Sequence, residues 1–356
     1  MTMHCQLPIR DLRPGYVTLS GIQKKFGAID AVNNVDLDVA RGEFFSLLGP
    51  SGCGKTTTLR LLAGLEDLDG GEIKIDGQTV ALAGKNVPPE KRGVGIVFQD
   101  YALFPHLSVF ANVAFGLYGM GKADIKLRVE QMLDLVGLQS SAQKYPHELS
   151  GGQRQRVALA RTLAPCPSVV LLDEPFSNLD AELRDALRQE TKEILRASGS
   201  TVILVTHDQE EALSLSDRVG VMNDGRLEQV GTPYDIYHQP ATRFVANFVG
   251  KADFFPAVLQ EGLVVAAIGT FTAEQQLAGV REIDLMVRPD DVVLAPENEG
   301  TGTIVAVKFL GGDAIYQVML SDQTTLHSQR MSANLLPVGT KVEVKINLPH
   351  VVYFPR

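Results

Sequence analysis

Three short segments of this chain have the residue types and spacing for phosphate chemistry. Gly49-Pro-Ser-Gly-Cys-Gly-Lys-Thr56 fits G-x-x-x-x-G-K-[ST] and lies between the apolar run Phe44–Leu48 and a helix-forming segment, Thr57–Ala63. Strand, glycine-rich loop and helix form the context in which backbone N–H groups converge on phosphate oxygens at a helix N-terminus. In this pattern Gly49, Pro50, Ser51, Gly52, Cys53, Gly54 and Thr57 frame the anion. Lys55 bridges its outer phosphates, and the Thr56 hydroxyl ligates Mg²⁺. Val169-Val-Leu-Leu-Asp173-Glu174 ends an apolar run in two carboxylates. Asp173 is suited to hold Mg²⁺ and Glu174 to polarise an attacking water. Leu149-Ser-Gly-Gly-Gln153 opens a further helix, with Ser150 as N-cap candidate and Ser150 and Gly152 as possible phosphate ligands. Each segment also has a plain structural reading as a tight turn, an acid at a strand end or a capped helix. Their co-occurrence favours chemistry, and a second anion-binding helix start is one more than a single nucleotide needs.

The elements that must position these groups are legible as patterns. From Tyr16 to about Gly250, short apolar runs alternate with longer helical stretches. Phe44–Leu48, Val169–Leu172 and Val202–Val205 suit strands buried on both faces of a sheet. Ala181–Ala197, rich in Leu, Glu, Lys and Arg and closed by Gly199, reads as a surface helix. After Gly250 the pattern changes. Lys341–Leu348 alternates strictly, and Ile304–Leu310 and Ala314–Leu320 flank Gly311-Gly312-Asp313 as a hairpin. Gly262–Phe271 reads as one buried strand, far short of the roughly 20 apolar residues of a membrane helix. The expected fold class is α/β, a P-loop NTPase domain followed by a small all-β domain, barrel or sandwich. We place an N-terminal extension at 1–16, the α/β domain at 17–247 and the β-rich domain at 248–356.

Composition narrows the partners. The chain has 356 residues, 45% hydrophobic and 21% charged, with a formal net charge of -9. That balance argues against nucleic-acid binding, which needs clustered Lys and Arg. Cys5, Cys53 and Cys166 are odd in number and widely spaced, as free thiols in a reducing compartment would be. Cys53, beside Lys55 at a helix N-terminus, is expected to favour its thiolate. Met1–Gly15 lacks an apolar signal core, so any membrane association is expected to be peripheral.

Taken together, the phosphate loop, Gln99, Leu149–Gln153, Asp173-Glu174, Ser177–Asp180 and His207 resemble, in order and spacing, the ATP-binding cassette (ABC) proteins, over nearly all of residues 17–247. The resemblance implies a head-to-tail homodimer in which each ATP lies between one copy's phosphate loop and Ser150, Gly151, Gly152 and Gln153 of the other. It further implies that Gln99 touches Mg²⁺ and the attacking water, and that Glu174 is the general base. His207 would contact the γ-phosphate, Asp180 would cross the dimer interface, and Phe26 would stack on adenine where many relatives carry Tyr.

Tyr101-Ala-Leu-Phe-Pro-His-Leu107 and the predicted helix Val109–Tyr118 lie where importers of this family dock their membrane permease subunits. The C-terminal segment resembles the oligonucleotide/oligosaccharide-binding-like domain appended to such subunits, through Val287–Asp291 and Phe309–Asp313. The chain is therefore expected to be an importer ATPase at the cytoplasmic face of the cell membrane, served indirectly by a periplasmic solute-binding protein. Non-transport cassette proteins usually carry two cassettes, a long coiled-coil insertion or basic surfaces, none of which is visible here. Asn86–Gly93, Phe176–Arg184 and Val221–Gln229 look most like ferric-iron import ATPases, and polyamine, sulfate, phosphonate and sugar importers share most of this phrasing.

Overall fold

The computed structural model describes residues 15–177, 181–273 and 281–356. Their contacts divide into two compact units, the first ending at Pro233 and the second starting at Tyr234.

In the first unit the continuous apolar runs become adjacent strands. Val17–Phe26 (β1), Ile29–Val39 (β2), Phe44–Leu48 (β3), Gly70–Ile75 (β4), Gln78–Leu82 (β5) and Lys85–Asn86 (β6) come first. Val94–Val97 (β7), Val169–Asp173 (β8), Thr201–Thr206 (β9), Arg218–Asn223 (β10) and Arg226–Gly231 (β11) follow. Five of them run parallel in the order β10-β3-β9-β8-β7, with β11 antiparallel at one edge. Side chains alternate between the faces, as the two-residue strand period requires. Phe44, Val97, Val170, Leu172, Val202 and Leu204 join the core on one face. Phe45, Leu47, Val169, Leu171, Ile203 and Val205 join the core on the other. Both faces are covered, so the strands need no polar side.

The first core is closed by helices α2 (Val109–Ala114), α3 (Lys122–Leu135), α4 (Gly151–Leu163) and α5 (Ala181–Ser198). The second is closed by α1 (Lys55–Ala63) and the antiparallel sheet β2-β1-β4-β5-β6. Because β3, β9, β8 and β7 are parallel and in register, their C-terminal ends lie along one edge of the sheet. Gly49, His207, Glu174 and Gln99 follow those ends directly or within two residues. That edge is where ligands bind open α/β sheets.

Two elements differ from expectation. The helix predicted over Val109–Tyr118 stops at Ala114, as Phe115 N–H turns back to Asn112 O and Gly116 and Gly119 follow; glycine is a poor helix residue. Gly262–Phe271 is not one strand but a hairpin, Leu263–Ala266 against Gly269–Thr272, with Ala266 opposite Gly269. Only two residues remain for the turn, so its apolar Ala267 and Ile268 hid the break.

The second unit holds two five-stranded sheets among the described residues, around a core that includes Phe255, Leu285, Ile304, Tyr316 and Val342. The predicted hairpin about Gly311–Asp313 is present as Gly302–Phe309 and Asp313–Leu320, and the alternating strand as Lys341–Ile346. The chain from Tyr234, with the helix Arg243–Val249, packs in this unit, tied there by Arg288. Its side chain is 1% exposed and donates to Tyr237 O at 2.8 Å, Ala246 O at 2.9 Å and Lys251 O at 3.2 Å. Its guanidinium stands 4.2 Å from the Tyr237 ring centroid. Arg288→Met should strip three carbonyls of their donor, the Ala246 carbonyl being buried, and cost about 1–3 kcal/mol, the penalty of one orphaned buried acceptor. Thermal unfolding of the full chain checks this, and an unchanged melting curve would refute the role.

Candidate functional site

The glycine-rich loop is forced into its path by close backbone approaches. A Cβ at Gly54, whose φ is +104°, would stand 2.1 Å from Ala31 O. A Cβ at Gly49 would stand 2.3 Å from Met222 O. The turn after β10 is bound to the loop as Gly225 N–H donates to Cys53 O at 3.0 Å. Within this frame the Lys55 ammonium, almost fully buried, donates to Gly49 O and Pro50 O at 2.8 Å each. Ser51, Gly52, Gly54, Lys55, Thr56 and Thr57 form the floor of a cavity of about 370 Å³. Ile29, Asp30, Ala31, Glu174, Asp224 and Gly225 form its walls.

The acidic pair meets the loop from the neighbouring part of the sheet. Thr56 Oγ1 donates to Asp173 Oδ1 at 3.2 Å. Burial holds the Asp173 carboxyl above its ordinary range, against the Thr56 hydrogen bond that lowers it. Glu174 adopts φ +45°, a left-handed conformation that costs a non-glycine residue about 1–3 kcal/mol. Its N–H donates to Val205 O at 2.9 Å, and its carboxylate meets His207 Nδ1 at 3.1 Å. A second, smaller cavity of about 190 Å³ gathers Gln99, Glu174, Ser177, Thr206 and His207 with Arg184, Asp208 and Glu211.

An ion network stands behind His207. Arg188, 5% exposed, pairs with Asp208 at 2.9 Å, Glu210 at 3.0 Å and Glu211 at 3.4 Å. Thr206 Oγ1 donates to Glu211 Oε2 at 2.6 Å. Burial raises the Glu211 carboxyl, with Thr206 and Arg188 opposing. These pairs hold α6 (Gln209–Leu215) and the end of β9 to α5.

The remaining predicted residues lie apart or differ. Ser150 caps α4, its Oγ accepting from Gln153 N–H at 3.3 Å while Gln153 Oε1 accepts from Ser150 N–H at 3.0 Å. Neither these residues nor Gly151 and Gly152 line either cavity of the single chain. Phe26 is half exposed, with Lys24 Nζ 5.2 Å from its ring centroid, and the cavity wall beyond it is Ile29, Asp30 and Ala31. Asp180 lies outside the described residues. The Cys53 expectation is overturned. Its side chain is 4% exposed and faces the core, and burial pushes the thiol up more than Lys55, 3.8 Å away, pulls it down. Sequence reasoning passed over Ile29–Ala31, Asp224-Gly225 and the Arg188 network. Asp224-Gly225 carries a hairpin-turn signature, but nothing local says which loop that turn will touch.

Comparison with known proteins agrees with this arrangement. Residues 32–177 match the family model "ABC transporter", and residues 285–354 match "TOBE domain". The sulfate/thiosulfate import ATP-binding protein of Chromobacterium violaceum is 50% identical over 79% of this chain and 76% of its own length. The chain belongs to the ABC transporter ATP-binding proteins. A spermidine/putrescine import ATP-binding protein of Desulfitobacterium hafniense is 40% identical over 96% of this chain and 97% of its own. Among solved structures, the post-hydrolysis dimer of the ATP-binding cassette MJ0796 with ADP and Pi is similar at 34% identity and a TM-score of 0.54. It covers 61% of this chain and 98% of that one. The protein is thus an ABC ATPase whose cassette is followed by an all-β TOBE domain. In this ABC ATPase, iodoacetamide should label Cys53 slowly at neutral pH, with the rate climbing only above the ordinary thiol pKa of 9.0. Mass spectrometry of peptide 50–60 follows it; rapid labelling at pH 7 in the folded chain would contradict the buried, protonated thiol.

Proposed function

We propose that the chain is the ATP-hydrolysing motor of an importer, working as a head-to-tail dimer beneath membrane permease subunits. The observation that carries this reading is the convergence of Lys55, the Thr56–Asp173 pair and the Glu174–His207 pair at one sheet edge, with Gln99 in the adjoining cavity. Thr56 and Asp173 present hard oxygen ligands of the kind Mg²⁺ takes, few in number because phosphates and water complete its shell. Bound there, Mg²⁺ would neutralise charge on the outer phosphates. Lys55 exchanges its two loop carbonyls for phosphate oxygens. Glu174 accepts the proton of the attacking water while His207, held at 3.1 Å, orients that carboxylate and reaches toward the γ-phosphate.

Ser150–Gln153 lie outside the single-chain cavities, as residues serving a second copy's nucleotide would, and Asp180 is assigned to the same interface. Phe26, half exposed, is assigned to the adenine. No helix among the described residues is long and apolar enough to cross a membrane, which suits a peripheral subunit at the cytoplasmic face.

For the solute, polyamine import is the reading we favour, because relatives bearing that name align over almost the whole chain, TOBE domain included. Sulfate/thiosulfate import is the second reading, supported by the 50% identity over 79% of the chain. Ferric iron, suggested by Asn86–Gly93 and its companion phrases, has no support from the relatives named above. Those phrases lie in the cassette common to all these importers, so they report the motor and not the cargo.

Glu174→Gln should bind ATP with wild-type affinity, turn over about 10²–10⁴-fold more slowly, and accumulate as a closed dimer. Lys55→Ala should lose nucleotide binding itself. Steady-state phosphate release and size-exclusion chromatography with ATP separate the two outcomes, and full turnover by Glu174→Gln would sink the base assignment. In cells deleted for this subunit, uptake of labelled spermidine should fall and return with the wild-type chain but not with Lys55→Ala; loss of sulfate uptake instead would reverse the solute order.

A further inference from the structure

Two consecutive non-glycine residues of the first unit, Tyr101 and Ala102, have φ +62° and +44°. Left-handed backbone is strained in non-glycine residues, and such strain persists only where the surroundings over-determine it. Arg161 of α4 supplies that determination. Its guanidinium donates to Ala102 O at 2.6 Å and to Tyr101 O at 2.9 Å, a forked geometry that lysine cannot reproduce. The same guanidinium lies 5.4 Å from the Phe104 ring centroid. Phe104 is fixed from the other side by the fully buried Asn112, which accepts from Phe104 N–H at 2.9 Å and donates to Phe104 O at 3.1 Å.

From Phe104 an aromatic chain runs to the surface. Its ring is 4.2 Å from Phe115, which in turn is 5.9 Å from Tyr118, 77% exposed. In the other direction the strained pair Tyr101-Ala102 lies in the turn that starts at Gln99, which lines the cavity of Glu174 and His207. Tyr101 is buried, with its hydroxyl 3.4 Å from Pro175 O, next to Glu174. Arg161 therefore belongs to the helix that starts at Ser150, holds the turn that starts at Gln99, and touches the ring that leads to Tyr118.

We propose that Arg161 is a positioning residue that makes the Phe104–Phe115–Tyr118 surface, the Gln99 turn and the Ser150 helix move as one when nucleotide binds. The inference rests on the nucleotide-site reading above. Without the fork, the turn relaxes out of its left-handed conformation and the aromatic surface is released from the site.

The chain contains no tryptophan, so Tyr118→Trp installs its one tryptophan, selectively excited at the red edge of aromatic absorption, at the exposed end of the aromatic chain. In the full-length protein carrying that substitution, Mg²⁺ with the non-hydrolysable analogue AMP-PNP should shift the tryptophan emission. Arg161→Ala in the same background should abolish the shift while equilibrium dialysis finds AMP-PNP affinity unchanged. Arg161→Lys, which keeps the charge but not the fork, should also lose it, and serves alone if the alanine variant fails to fold by circular dichroism. A shift that survives in the folded variants overturns the inference, as does a parent that binds AMP-PNP without any shift. A parent that does not bind AMP-PNP overturns the nucleotide-site reading instead.

Discussion

The geometry of the site depends on backbone atoms approaching one another more closely than any side chain allows. The loop from Gly49 to Gly54 threads between Met222 O on one side and Ala31 O on the other, with Gly225 N–H bonded to Cys53 O. Close packing leaves such a loop one path. From that path follow the start of α1 at Lys55, the placement of the Lys55 ammonium on the carbonyls of Gly49 and Pro50, and the reach of Thr56 to Asp173. The loop is thus held by the β10–β11 turn and by β2.

Charge at the sheet edge is arranged around that frame. Desolvation of half-buried Asp173 and buried Glu211 outweighs their hydrogen bonds, so both sit above the ordinary carboxylate range. One wall of the edge is cationic through Lys55; the other is acidic and is balanced from behind by Arg188. A buried pair of this kind is weak as a source of stability, because desolvation offsets attraction. Its effect is directional: Arg188 and Thr206 fix the end of β9, and with it the approach of His207 to Glu174. The left-handed backbone at Glu174, Tyr101 and Ala102 places stored strain along the same edge.

Cys53 shows how proximity and burial compete. A thiol beside a lysine at a helix N-terminus satisfies the local conditions for a thiolate. Here the side chain turns inward beside Gly49, and the loss of water outweighs the pull of Lys55. The position is set by the loop's need for a small residue between two glycines rather than by reactivity.

Much of the motor was legible in the chain itself. The apolar runs at Phe44, Val169 and Val202 determined strands buried on both faces of a sheet, because residues apolar on both sides leave no face for water. The motifs at Gly49–Thr56 and Leu149–Gln153 determined two glycine-rich helix starts, and the alternation at Lys341–Ile346 determined the β character of the second unit. All of these are set by periods of two or 3.6 residues and by glycine's freedom, which are local properties. Only the tertiary structure decided that Asp224-Gly225 and Ile29–Ala31 wall the cavity, that Arg188 backs His207, that Arg288 draws the chain from Tyr234 into the β unit, and that Cys53 faces inward. Those outcomes depend on which distant backbone atoms come within hydrogen-bond reach and which side chains lose water, and no spacing along the chain encodes either.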